Sequence, residues 1–195
     1  MELIPDKPSS EAILKVCLFF QARDDGAFSE QLVSSLYGRY NVGGLLFVLT
    51  SSIRLFYTKQ GEMYTHYEWP VHDAVDTARY EFLLIEANEE EASRLFATCC
   101  ACARSRKPFN LLDLVLLFTP RVVDDLTVFE APTLNCSQAI ILILRECLDP
   151  GHPLRTVLAG LHSRQTLLVD LFGYVRPYAL PVFLDSLRNL VKSDG

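Results

Sequence analysis

Residues 53–69, IRLFYTKQGEMYTHYEW, decide the fold. Ile53 to Tyr57 is apolar apart from Arg54, which suits a strand. Lys59, Gln60 and Gly61 form a turn signal. Met63 to Trp69 mixes aromatic and polar residues, as a second strand does, and Pro70 ends it. Two such runs around a short polar turn predict an antiparallel pair. Working outward, residues 45–49 (LLFVL) and 80–86 (YEFLLIE) read as further strands of the same meander. Upstream, residues 13–23 (ILKVCLFFQAR) form a mostly apolar run that suits a buried strand. Asp24, Asp25 and Gly26 close it with a turn. Ser29 is placed to cap a short helix through Tyr40, with Leu32, Val33 and Leu36 at helical spacing. Gly43 and Gly44 are expected to break it.

The second half of the chain reads as helical. Asn88 opens a helix that carries Glu89, Glu90 and Glu91 in its first turn and ends near Arg104, before Pro108. Acid at the start and base at the end complement the helix dipole. Residues 109–118 fit either helix or strand, and 121–132 read as loop with a short strand. Asn135 is a capping residue for a helix from Cys136 to about Leu148, stopped by Asp149, Pro150 and Gly151. Residues 156–162 and 166–171 are short apolar segments. Pro181, Phe183, Leu187 and Leu190 mark a final amphipathic helix. Strands followed by helices predict the α+β class, a small antiparallel sheet packed against helices.

Composition bounds the function classes. A chain of 195 residues, 50% hydrophobic and 22% charged, forms a single domain over residues 1–195 with a sizeable core. The net charge of −6 lacks the basic footprint of a nucleic-acid binder. The longest apolar run, residues 139–144, is far short of the roughly 20 residues that span a bilayer. Peripheral contact with a membrane stays open. Residues 1–10 show no basic stretch followed by an apolar one, so no signal peptide is expected. The six cysteines are then expected as free thiols in a reducing, intracellular and cytoplasmic setting.

One cysteine stands apart. Cys136 sits at the first turn of a strongly apolar helix, PTLNCSQAIIL over residues 132–142. The unsatisfied N–H groups and partial positive charge of a helix start favour thiolate over thiol. The same N–H groups suit an oxyanion hole. The bland alternative is a small buried hydrophobe, the commonest role of a cysteine. A nucleophilic thiolate needs a base, and the histidines are His66, His72, His152 and His162. His66 lies inside a predicted strand, and imidazole held by a sheet beside a helix-borne thiol is a working catalytic geometry. His72 is expected in a turn, and His152 and His162 flank apolar segments.

The motifs THYEW (residues 65–69) and NCSQAIILIL (residues 135–144) resemble the circularly permuted NlpC-like branch of the papain fold. That branch includes lecithin:retinol-acyltransferase-like proteins and several viral proteins. Its histidine strand precedes its cysteine helix, as His66 precedes Cys136 here. KPFN at residues 107–110 is similar to the segment found upstream of the family's nucleophile. The resemblance covers roughly residues 53–148, and it implies a permuted papain-like core over about residues 45–150. It also implies Cys136 as nucleophile and His66 as general base, with no cofactor and no metal. A third polar residue usually orients the imidazole. Glu68, two residues along the same strand, and Glu81, in the next predicted strand, are the candidates. A viral origin, and then a host-cell location, would follow from the viral members.

Other signals carry less. Cys99, Cys100 and Cys102 point in different directions from one helix and lack a second ligand pair, so helix packing is expected rather than zinc. No G-x-x-x-x-G-K, G-x-G-x-x-G or G-x-S-x-G motif is present. The leading expectation is a cysteine-dependent peptidase or amidase-like hydrolase with a peptide substrate. The alternatives are a lipid acyltransferase or phospholipase with an acyl-lipid substrate on the same fold, and a non-catalytic protein-interaction module.

Overall fold

The computed structural model describes residues 11–21, 42–59, 62–70, 80–105, 127–130, 136–159 and 177–179. Among the described residues, six strands form one antiparallel sheet: β1 (Ile13–Gln21), β2 (Val42–Leu49), β3 (Ser52–Lys59), β4 (Glu62–Pro70), β5 (Tyr80–Ile85) and β6 (Pro177–Ala179). The helices among the described residues are α1 (Glu89–Ser105), α2 (Cys136–Cys147) and α3 (Pro153–Ala159). The α+β class with an antiparallel sheet is therefore what the chain adopts. The expected helix over 29–40, the segments 109–118 and 166–171 and the final helix from Pro181 lie outside the described residues, as do His72 and His162.

The strand order is β4-β3-β2-β1-β5-β6. β1 to β4 pair consecutively, but β5 lies against β1, with Leu18 opposite Leu83 and Phe19 opposite Phe82. The meander expectation for β5 is corrected on this point. Apolar content does not say which edge of a meander a later strand will join; here it closes on the first strand. A second correction concerns the start of β2, expected at Leu45: the strand begins at Val42 and includes Gly43 and Gly44. Gly44 pairs with Tyr57, and a Cβ there would collide with the Phe56 carbonyl oxygen. Close approach of β3 therefore requires glycine at this position.

Both faces of the sheet are withdrawn from solvent, which is why β1 and β2 read as near-continuous apolar runs. On one face Val16, Leu18, Leu45, Phe47, Phe56 and Leu83 pack with the three helices. On the other, Cys17, Phe19, Leu46, Val48, Leu55 and Phe82 form a second cluster. Phe96 of α1 anchors the helical layer, meeting Phe47 and Phe56 edge-on with ring centres 5.2 and 5.8 Å away. Edge-to-face rings add to the gain from area alone.

The start of α1 is held by reciprocal capping. Asn88 Oδ1 accepts from the Glu91 N–H at 2.9 Å, and Glu91 Oε2 accepts from the Asn88 N–H at 2.9 Å. Glu91 also reaches away from its helix: its Oε1 accepts from the Asp149 N–H at 2.8 Å. Arg94 strengthens the same junction, donating to the Cys147 carbonyl and pairing with Asp149 at 2.6 Å.

Candidate functional site

Cys136 is the first residue of α2. The helix forms where the sequence predicted it because residues 139–144 supply an apolar face: Ala139, Ile140, Leu142, Ile143 and Leu144 are all buried. That face packs toward β2 and α1. The C-terminal end of α2 meets the first half of α1. Cys147 Sγ lies 3.3 Å from Thr98 Oγ1, and moving on to Asp149 brings the partners back to Arg94, Glu91 and Asn88. Cys136 is eleven residues, about 16 Å of helix, in the other direction.

His66 is the central residue of β4, paired with Phe56 of β3. Cross-strand partners share a face. The register thus puts the His66 position on the helix-covered face of the sheet, beside the strand whose Phe56 meets Phe96 of α1. α1 packs against both β4 and α2, so it is the element that the two candidate positions have in common.

The two candidates for the orienting carboxylate separate cleanly. Glu68 pairs with Arg54, two positions along β4 and on the same face as His66. Glu81 pairs with Phe20 and Ala179 in β5, four strands away from β4. At about 4.8 Å per strand that is roughly 19 Å along the sheet. Glu81 is therefore corrected out of the site. Its candidacy depended on β5 following β4 in the sheet, which the closure of β5 on β1 prevents.

The remaining five cysteines are Cys17, Cys99, Cys100, Cys102 and Cys147, all free and all buried. Burial pushes the Cys17 thiol up to about 12, against a small opposing effect of Lys15. Burial also raises Cys99 well above the ordinary thiol value, helped by neighbouring thiols, and raises Cys147 despite the Thr98 hydrogen bond. A thiol held neutral this way is a poor nucleophile. The pairing of Cys99 and Cys102 with the core agrees with their expected packing role.

His152 was expected only to flank an apolar segment; its role is specific. Its Nδ1 accepts from the Leu154 N–H at 3.1 Å, and its Nε2 lies 3.2 Å from the Glu86 carbonyl oxygen. One ring thus caps α3 and ties it to the end of β5. The His-Pro pair preceding an apolar segment was the available signal for this cap. Among the described residues no helix is long and apolar enough to cross a membrane. No family model, curated protein or solved structure matches the chain.

Proposed function

We propose that the protein is a cysteine-dependent hydrolase on a permuted papain-like fold, with Cys136 as nucleophile, His66 as general base and a peptide or amide as substrate. The observation that carries this reading is the position of Cys136 as the first residue of a twelve-residue helix with a buried apolar face. Support comes from the rest of the thiol inventory, in which Cys17, Cys99 and Cys147 are held neutral by burial.

In this mechanism the Cys136 thiolate attacks the acyl carbon, and the N–H groups of the first turn of α2 stabilise the oxyanion. The protonated His66 gives its proton to the departing amine as the C–N bond breaks, leaving a thioester. His66 then takes a proton from water, the hydroxide attacks the thioester, and the carboxylic acid leaves as the thiolate beside protonated His66 is regenerated. In this reading Glu68 orients the imidazole.

The test is site-resolved alkylation of the native protein with iodoacetamide between pH 5 and 9, read by mass spectrometry. The expected result is preferential labelling of Cys136 with a midpoint below the ordinary thiol value of about 8.5. His66→Ala should move that midpoint upward. Cys136 labelling with an ordinary thiol profile, indifferent to His66→Ala, would overturn the proposal. A non-catalytic interaction module is the second reading, favoured by the removal of Glu81, which leaves a single candidate orienter.

A further inference from the structure

A groove of about 790 Å³ opens between the start of β1, the end of β5 and the first half of α1. Its origin is topological. β5 makes its last pair with β1 at Ile85 opposite Val16, then turns away through residues 86–88 into α1. Residues 11–15 run on beyond that point, so among the described residues no strand pairs with them on the β5 side. The opposite wall is one stripe of α1, in which Ala92, Ser93 and Ala97 are small enough to admit another chain. Ile85 and Phe96 give the groove an apolar floor. At its edge Leu14, displaced by the irregular register between Ile13 and Lys15, is 39% exposed.

The charges around the groove are unequal in availability. Glu11 is committed to Ser52, at 3.0 Å, and to Arg54. Lys15 is engaged in an interaction of its own. Glu86 and Glu89 are exposed, and neither carboxylate bonds to another described residue. The groove therefore offers an apolar floor, an exposed leucine and two exposed carboxylates with no partner among the described residues. Its size falls in the range of built binding sites, roughly 300–1,000 Å³.

We propose that this groove docks a short extended peptide of a partner protein, one that carries an apolar anchor flanked by lysine or arginine. The anchor packs between Leu14 and Phe96, and the basic residue meets Glu86 and Glu89. The wall along residues 11–16 accommodates about five extended residues at 3.3 Å each. Peptides with acidic flanks are disfavoured by the same two carboxylates. The docking groove is lined by the start of α1 and does not depend on the proposed hydrolase activity.

The test pans a phage-displayed library of random linear heptapeptides against the full chain and measures the best binders by fluorescence anisotropy. The expected result is enrichment of peptides with an apolar residue next to Lys or Arg. Ser93→Trp and Ala97→Trp, both at exposed helical positions, fill the groove and should abolish that binding. The double variant Glu86→Lys/Glu89→Lys should weaken it about tenfold at low salt, with the difference shrinking as salt rises. Circular dichroism checks that the fold is kept. Enriched peptides whose binding ignores the Trp variants would overturn the proposal, as would enrichment of acidic or uncharged peptides. So would an increase in hydrogen exchange of residues 1–10 in Ser93→Trp, because the occupant would then be the chain's own segment.

Discussion

Replacement of Glu91 by alanine tests how the helical layer is joined. Glu91 is 2% exposed, yet it carries a carboxylate, and both oxygens are used. Oε2 accepts the Asn88 N–H at the start of α1, and Oε1 accepts the Asp149 N–H in the turn after α2. Hydrogen bonds to a charged group each contribute about 1.5–3 kcal/mol, and alanine would leave two part-buried donors without acceptors. Allowing for water reaching one of them, the expected loss is about 3 kcal/mol. For a chain of this size each kcal/mol moves the midpoint by about 2–4 °C, so Tm should fall by about 6–12 °C. The control is Glu90→Ala, one residue earlier. Its side chain is 83% exposed and its pair with Arg94 spans adjacent turns of one helix, so the loss should stay below about 0.5 kcal/mol. Urea unfolding followed by far-ultraviolet circular dichroism measures both variants. Equal losses for Glu91→Ala and Glu90→Ala would refute the reasoning, since burial, the Asn88 cap and the link to Asp149 distinguish the two carboxylates.

Phe96→Ala should cost about 3–5 kcal/mol, because it removes the ring that meets Phe47 and Phe56; a loss under about 1 kcal/mol by denaturant titration would show that the helical layer is not anchored there. Stability should fall at alkaline pH. The folded state holds the Cys17 thiol neutral up to about 12 while the unfolded chain ionises near the ordinary thiol value. The contribution is therefore complete below the unfolded value and is lost as pH rises toward 12, by up to about 1.4 kcal/mol per pH unit. Cys17→Ala, read by unfolding at several pH values, should flatten that slope, and an unchanged slope would remove Cys17 as its source. His152→Ala should destabilise the chain by about 1 kcal/mol through loss of the α3 cap, seen as faster hydrogen exchange over residues 153–159; unchanged exchange there would show the cap to be dispensable.

The parts of the molecule legible in the sequence are those governed by neighbours along the chain. Alternating or continuous apolar runs specify strands at residues 13–21 and 52–59. Asn88 with Glu91 specifies a helix start, and the Asp149–Pro150–Gly151 stop follows from backbone preferences of single residues. The start of β2 at Val42 rather than Leu45 was not legible, because glycine in a strand is favoured only where a neighbour approaches closely, and the position of β3 beside Gly44 decides that. The candidate pair Cys136 and His66 was readable as residue types on expected elements. The separation of Glu81 from His66 was not, because it is set by which strand edge β5 joins. That choice depends on summed burial of side chains remote in sequence, such as Leu83 against Leu18 and Phe82 against Phe19, rather than on any local preference. The groove has the same origin: β5 turns into α1 after pairing Ile85 with Val16, before it reaches the first residues of β1, and that is a property of two segments about seventy residues apart. Local chemistry determined the elements of this protein; long-range packing decided which of them became neighbours.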